Sequence, residues 1–150
     1  MIDEYTRECL AIRVARSLSS QEVIETLAEV MLVRGIPEHL RSGNGPEFAS
    51  KVLDRWAYEH GVTLDFSRPG KPTDNAHVES FNGRLREECL NANCFLSLED
   101  AQAKIEAWRR EHNESRPHPA LGHVPPAEFA ARDGASPVPG GKKGNSAKEL

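Results

Sequence analysis

"RSGNGPEFAS", residues 41–50, packs two glycines, an asparagine and a proline into Gly43-Asn44-Gly45-Pro46. Residues of these types favour a sharp bend, and so permissive a turn lets the backbone approach another group closely. Catalytic turns of this kind usually carry a working side chain, yet the residue at the lip is Gly43, which has none. The flanking sequence reads as an α/β unit. "PEHLRS" (37–42) is a short strand leading into the turn. A helix then runs from Ser50 to His60, burying Val52, Leu53 and Trp56 and stopping at Gly61, and "VTLDF" (62–66) is the next strand,.

Upstream, "ECLAIRV" (8–14) alternates Leu10, Ile12 and Val14 with Cys9, Ala11 and Arg13, the pattern of a strand,. Ser19 with Glu22 is a capping box, and Val23, Ile24, Leu27, Val30 and Met31 keep helical spacing as far as Gly35 and Pro37,. Strand, helix, strand, helix, strand points to an α/β sheet with parallel members. Downstream, Asp74 is expected to cap a third helix with the apolar stripe Val78, Phe81, Leu85 and Cys89. Ser97 opens a fourth that turns Leu98, Ala101, Ile105 and Trp108 inward, and Pro126 suits the first turn of a short fifth,. Residues 1–132 read as the folded domain. Residues 133–150, dominated by "GASPVPGGKKGNSAKEL", have almost nothing to bury and are expected to be a disordered tail,.

The third helix carries a second stripe. Asn75, Glu79, Asn82 and Arg86 stand at i, i+4, i+7 and i+11 and share a face,. A carboxylate, two carboxamides and a guanidinium in a row would suit a metal ion, a phosphate backbone and a base edge. Taken alone, the stripe is equally the solvated face of an amphipathic helix, and that plain reading outweighs the functional one.

The bulk numbers set limits. A chain of 150 residues, 38% hydrophobic and 28% charged, can bury the core of one domain,. Its formal charge of -4 argues against indiscriminate nucleic-acid binding, which wants a basic domain, while leaving room for a local basic patch,. No apolar run approaches the roughly 20 residues of a membrane helix, and "MIDEYTRECL" is acidic where a secretory signal is basic,. A cytoplasmic protein with no membrane partner is expected. Cys9, Cys89 and Cys94, an odd number at no metal-ligand spacing, read as reduced thiols,.

Taken together, "RSGNGPEF", "RPGKPTDNAHVESFNGRLREECL" (68–90) and "RPHPALGHVPPAEF" (116–129) resemble the catalytic core of insertion-sequence transposases of the retroviral-integrase superfamily. The likeness covers nearly all of residues 2–131. It implies a mixed α/β, RNase H-like fold. It also implies a catalytic triad of two aspartates and a glutamate, with thirty-five residues between the second aspartate and the glutamate. Counting back from Glu79 across the 35 residues 44–78 lands on Gly43. The family stretch reads Arg-Ser-Asp-Asn-Gly-Pro-Glu-Phe, and this chain departs from it only at that position.

What the resemblance implies follows residue by residue. Glu79 is the surviving acid and Gly43 stands where the second aspartate belongs. The first aspartate belongs to a central strand ahead of a segment like "IDEYTREC", so that strand is expected to be missing here and the sheet to lack its centre. Asp3 and Glu4 match acidic positions to which the resemblance gives no catalytic role. The family chemistry uses Mg²⁺ (or Mn²⁺) ions roughly 3.5–4 Å apart to activate an attacking oxygen and stabilise a leaving one. With one carboxylate of three, no productive binding of the metal is expected. DNA contacts, at insertion-sequence ends, fall to Arg86 with Asn75 and Asn82, and to Arg68, Lys71 and Arg84 on phosphates. Arg116 and His118 are further phosphate candidates. Two readings stay open: a fragment of a strand-cleaving and strand-transferring enzyme, inactive alone, or a non-catalytic remnant that binds DNA, itself or an intact transposase.

Overall fold

His39–Ser42 (β2) and Thr63–Phe66 (β3) pair in parallel, His39 opposite Thr63 and Ser42 opposite Phe66, in a computed structural model that describes residues 1–133 and 147–149. Between them lies α2, Lys51–His60, whose ends match its sequence signals. The Ser50 side chain accepts the Leu53 N–H at 3.2 Å, and Gly61 takes the left-handed conformation that closes the helix,. Ahead of β2, α1 (Ser20–Arg34) starts at the expected box, with the Glu22 carboxylate accepting the Ser19 N–H at 2.6 Å,. Leu27 of α1, Leu40 of β2, and Leu53, Trp56 and Ala57 of α2 close a first core with Val62. Val52, expected inside, is exposed, because the face that α2 turns towards α1 and the sheet carries Leu53, Trp56 and Ala57.

The chain start folds differently from its pattern. Ile2–Asp3 form the short strand β1, but of the 8–14 segment only Cys9 makes a bridge, back to Ile2. Glu8, Leu10 and Ala11 share main-chain hydrogen bonds with Met1 and Asp3, while the backbone of Cys9 is held by side chains of α4 (Leu98–Glu114). Asn113 bonds both the N–H and the C=O of Cys9, at 2.8 and 3.0 Å, and Arg109 Nη1 donates to the same carbonyl at 2.7 Å,. The apolar alternation still serves packing. Ile12 and Val14 lie against a second core of Ile2, Cys9, Phe81, Cys89, Ile105 and Trp108.

Part of the segment expected to be disordered is in the sheet. Ala147–Glu149 (β4) lie between β1 and β2, antiparallel to the first and parallel to the second, giving the order β1-β4-β2-β3. Composition misjudged these three residues because main-chain hydrogen bonds to two open edges order them, and such bonds are indifferent to side-chain type. They also fill the place where the sheet was expected to lack its centre. The tail expectation for residues 134–146 and 150 falls outside the described residues.

The second half is helical. A 3₁₀ turn, Pro72–Asn75, precedes α3 (Ala76–Leu85), which widens into a π turn over Arg86–Leu90 before α4 and α5 (Pro126–Arg132). Ser97 caps α4 by accepting the Asp100 N–H at 3.0 Å,. Asp74 does not cap α3; its carboxylate is taken by Arg68. Gly83 inside α3 has nothing within 4 Å of a built Cβ, so no close backbone approach accounts for it. The three cysteines are free, as expected. Among the described residues no helix is long and apolar enough to cross a membrane.

α3 and α4 are joined by an aromatic stack. Phe81 meets Trp108 and His112 edge-on, at 5.4 and 5.2 Å between centroids, and Trp108 stacks on His112 at 5.5 Å,. Burial, followed by the opposing effect of the Arg7 carbonyl and the charges of Arg116, His118 and Arg84, holds the His112 pKa below its ordinary value of 6.5. The unfolded chain therefore binds this proton at a pH where the fold refuses it, so stability rises with pH through that window and falls as pH drops through it. Lowering pH from 7.5 to 5.5 is expected to lower the melting temperature. His112→Phe, which keeps the ring in the stack, should shrink that drop; an undiminished drop would place the proton elsewhere.

Candidate active site

The turn that follows β2 is tied down by its neighbour strand. Ser67, one residue beyond β3, donates its N–H and its hydroxyl to the Ser42 carbonyl at 3.0 and 2.9 Å. Asn44 Nδ2 donates to the Ser67 carbonyl at 2.9 Å, which commits the Asn44 carboxamide to holding the loop. Within the turn the Gly45 carbonyl accepts from Phe48 and Ala49, at 3.0 and 2.9 Å. The Glu47 carboxylate lies so close that a Cβ on Gly45 would stand 2.5 Å from its Oε1. Gly43 is the contrast: among the described residues a Cβ there meets nothing within 4 Å, and its φ lies outside the left-handed range. The backbone at Gly43 is thus one that any L side chain could adopt, in open space.

The stripe on α3 is brought out in part. Glu79, Asn82 and Arg86 are exposed along one flank, spaced i, i+3, i+7,. Asn75 does not share the flank, since it sits in the 3₁₀ turn, where its Oδ1 is buried without a hydrogen-bond partner. Arg84 is half-buried and belongs to the opposite flank, in line with His77, Phe81 and Glu88. Lys71 is exposed in the preceding loop.

Arg68 forms a fork with Asp74. Its Nε and Nη2 donate to Oδ2 and Oδ1, both at 2.9 Å, and its backbone N–H reaches Oδ2 at 3.0 Å,. These bonds, followed by the more distant charge of Arg41, hold the Asp74 carboxyl far below the usual carboxylate range. A phosphate would have to compete with Asp74 for this guanidinium.

The acids of the chain start are committed elsewhere. Asp3 is buried, and its Oδ1 accepts the N–H groups of Tyr5 and Thr6 at 2.9 and 3.1 Å. Glu8, also buried, pairs with Arg34 at 2.7 Å, and Glu4 with Arg41 at 2.6 Å. Among the described residues no three His, Cys, Asp or Glu side chains are grouped to hold a metal ion. Mg²⁺ takes several oxygen ligands, usually including one or two carboxylates. With Gly43 at the turn and Glu79 by itself on its flank, the residues present do not fit such an ion.

Sequence reasoning passed over the flank of α3 that faces inward. There Glu88 accepts Arg116 at 2.6 Å and Trp108 Nε1 at 3.0 Å, and the Arg116 guanidinium lies 5.9 Å over the Trp108 ring,. The signal was available as His77, Phe81, Arg84 and Glu88 at i, i+4, i+7 and i+11.

Known proteins resemble this chain over most of its length. Two models, each described as an integrase core domain, match residues 1–72 and 60–126. A 31.7 kDa protein of insertion element IS407 from Burkholderia multivorans is 46% identical over 136 residues, 91% of this chain and 49% of that protein. A 39.2 kDa protein of IS476 from Xanthomonas euvesicatoria is 44% identical over 131 residues, 87% of this chain and 38% of that protein. The transposase of IS629 from Shigella sonnei is 25% identical over 131 residues, 85% of this chain and 44% of that protein. The chain therefore spans half or less of the length of these relatives.

Among solved structures, the HTLV-2 integrase catalytic core in complex with magnesium superposes with a TM-score of 0.64 at 18% identity, over 85% of this chain and 80% of that one. The BIV integrase core gives 0.61 at 19%, over 81% and 77%. The fold is that of the RNase H-like integrase cores, a mixed sheet with flanking helices. The chain belongs to the integrase core domain family of insertion-sequence transposases.

Because a side chain at position 43 enters open space, Gly43→Asp is expected to fold as the parent does. Its melting temperature should stay within about 3 °C, the shift that roughly 1 kcal/mol produces in a chain of this size. A larger loss by calorimetry would show that the turn is closed to the acid.

Proposed function

We propose that this chain is a DNA-binding integrase-core unit of an insertion element that does not cut or join DNA by itself. The observation that carries the reading is Gly43. The family turn keeps its sequence around that position, its loop ties and its room for a side chain, but the carboxylate is gone. This loss holds whatever segment precedes Met1. Two-ion phosphoryl transfer needs ligands on both the attacking and the leaving side, and one glutamate does not span both.

DNA recognition is less affected by the loss. Integrase and transposase cores act on DNA, and the exposed flank of Glu79, Asn82 and Arg86, with Lys71 nearby in sequence, keeps groups suited to phosphates and base edges,. Arg68 would join them by exchanging Asp74 for phosphate, and Asn75 would gain a donor for its buried oxygen. The acidic net charge makes this contact local and salt-sensitive. A second reading, association with an intact transposase or another copy, is favoured by Leu32, Val33 and Ile36, exposed at and just beyond the end of α1 at 89%, 64% and 59%,.

Oligonucleotides carrying the element ends, incubated with the chain and Mg²⁺ or Mn²⁺, are expected to show neither nicking nor strand transfer. In anisotropy titrations the same oligonucleotides should bind at low salt, and Arg86→Ala should weaken that binding several-fold. Divalent-dependent nicking that disappears in Glu79→Gln would overturn the proposal.

A further inference from the structure

Arg7 holds a left-handed backbone, φ 62, which is uncommon for a residue other than glycine,. The turn that imposes it starts at Asp3, whose carbonyl accepts the Arg7 N–H at 2.9 Å while its own N–H donates to the Glu8 carbonyl at 3.0 Å. The Arg7 carbonyl is bonded by His112 Nε2 at 3.3 Å, fixing this turn against α4. The guanidinium, by contrast, is poorly provided for: among the described residues its Nη1 is buried with no hydrogen-bond partner, and so is Nδ1 of His118. Both residues are half-buried, so each also presents atoms to solvent.

The charged residues that act on His118 are basic. Burial first, and then the charges of Arg84, Arg7 and His77, hold His118 below its ordinary pKa. Arg116 lies beyond His112 on the Trp108 ring. The carboxylates that reach this region are already engaged, Glu88 by Arg116 and Trp108, and Glu4 by Arg41. A half-buried cluster of guanidinium and imidazole groups is unfavourable without a counter-charge, and its unfilled donors call for an oxygen-rich anion.

We propose that Arg7, Arg84 and His118 form a binding site for one phosphate group, with the two guanidinium groups and the imidazole donating to its oxygens. Arg84 lies on the flank of α3 opposite Glu79 and Arg86, so this is a second contact, separate from the flank described above,. The source of the phosphate rests on the DNA reading, in which it is a phosphodiester of a strand passing over α3; the site itself does not.

The test compares thermal shifts in sodium phosphate and sodium chloride at equal ionic strength, using the full chain. Phosphate should raise the melting temperature of the parent by several degrees beyond chloride. Arg7→Gly, which suits the left-handed backbone, and His118→Gln should lose that difference. Arg84→Met is a second route if either variant folds poorly, and Arg55→Ala, on the exposed face of α2, should leave the phosphate shift unchanged. With single-stranded DNA, Arg7→Gly should reduce the slope of log K against log salt by about 0.7, one phosphate contact. A phosphate shift that depends on Arg7 without any DNA binding would support the site and remove the DNA reading. No shift in the parent, or one of equal size in the parent and all three site variants, would overturn the proposal.

Discussion

The parallel pairing of β2 with β3 is the constraint on which the rest of the arrangement depends. It sets Ser42 beside Phe66, so the two strands end together and the residues that leave them, Gly43 and Ser67, emerge at one edge. The Ser42 carbonyl then takes both donors of Ser67, and the Asn44 side chain returns the tie. From Ser67 the chain has only the Arg68–Asp74 fork to cross before the 3₁₀ turn that opens into α3. Two hydrogen-bonded loops thus lead from one sheet edge to the turn at Gly43 and to the helix that bears Glu79. These ties hold the turn whether or not position 43 carries a side chain.

Much of this was legible in the sequence because local rules and the global fold agree. Capping signals at Ser19, Ser50 and Ser97 gave helix starts correct to a residue, and Gly35 and Gly61 gave helix ends. Gly43 stood out because the motif around it is dense and the spacing to Glu79 fixes its place. What escaped has a common cause. Residues 8–14 have the alternation of a strand, but Asn113 and Arg109, a hundred residues away, satisfy the backbone of Cys9. Asp74 has the composition of a cap, but the guanidinium of Arg68 competes better for its carboxylate. β4 is ordered by main-chain partners on either side, which side-chain composition does not report.

α3 joins the two aspects of the molecule. Its inward line, Phe81 with Arg84 and Glu88, is held by Trp108, His112 and Arg116, and these contacts fix the helix against α4. Its outward line, Glu79, Asn82 and Arg86, is exposed. Near the inward line, Arg7 Nη1 and His118 Nδ1 are buried with no hydrogen-bond partner among the described residues. Cations placed on both flanks of one helix in an acidic protein fit recognition of a polyanion at a defined place better than general attraction to it,.

In the proposed function the turn at Gly43 and the helix at Glu79 keep the family scaffold without its metal site, and an Mn²⁺ titration followed by amide NMR tests this directly. A bound paramagnetic ion broadens the signals around it. At sub-stoichiometric Mn²⁺ the amides of residues 42–45 and 78–80 are predicted to broaden no more than exposed acidic positions elsewhere. Selective, saturable broadening of both segments together would contradict a lost metal site.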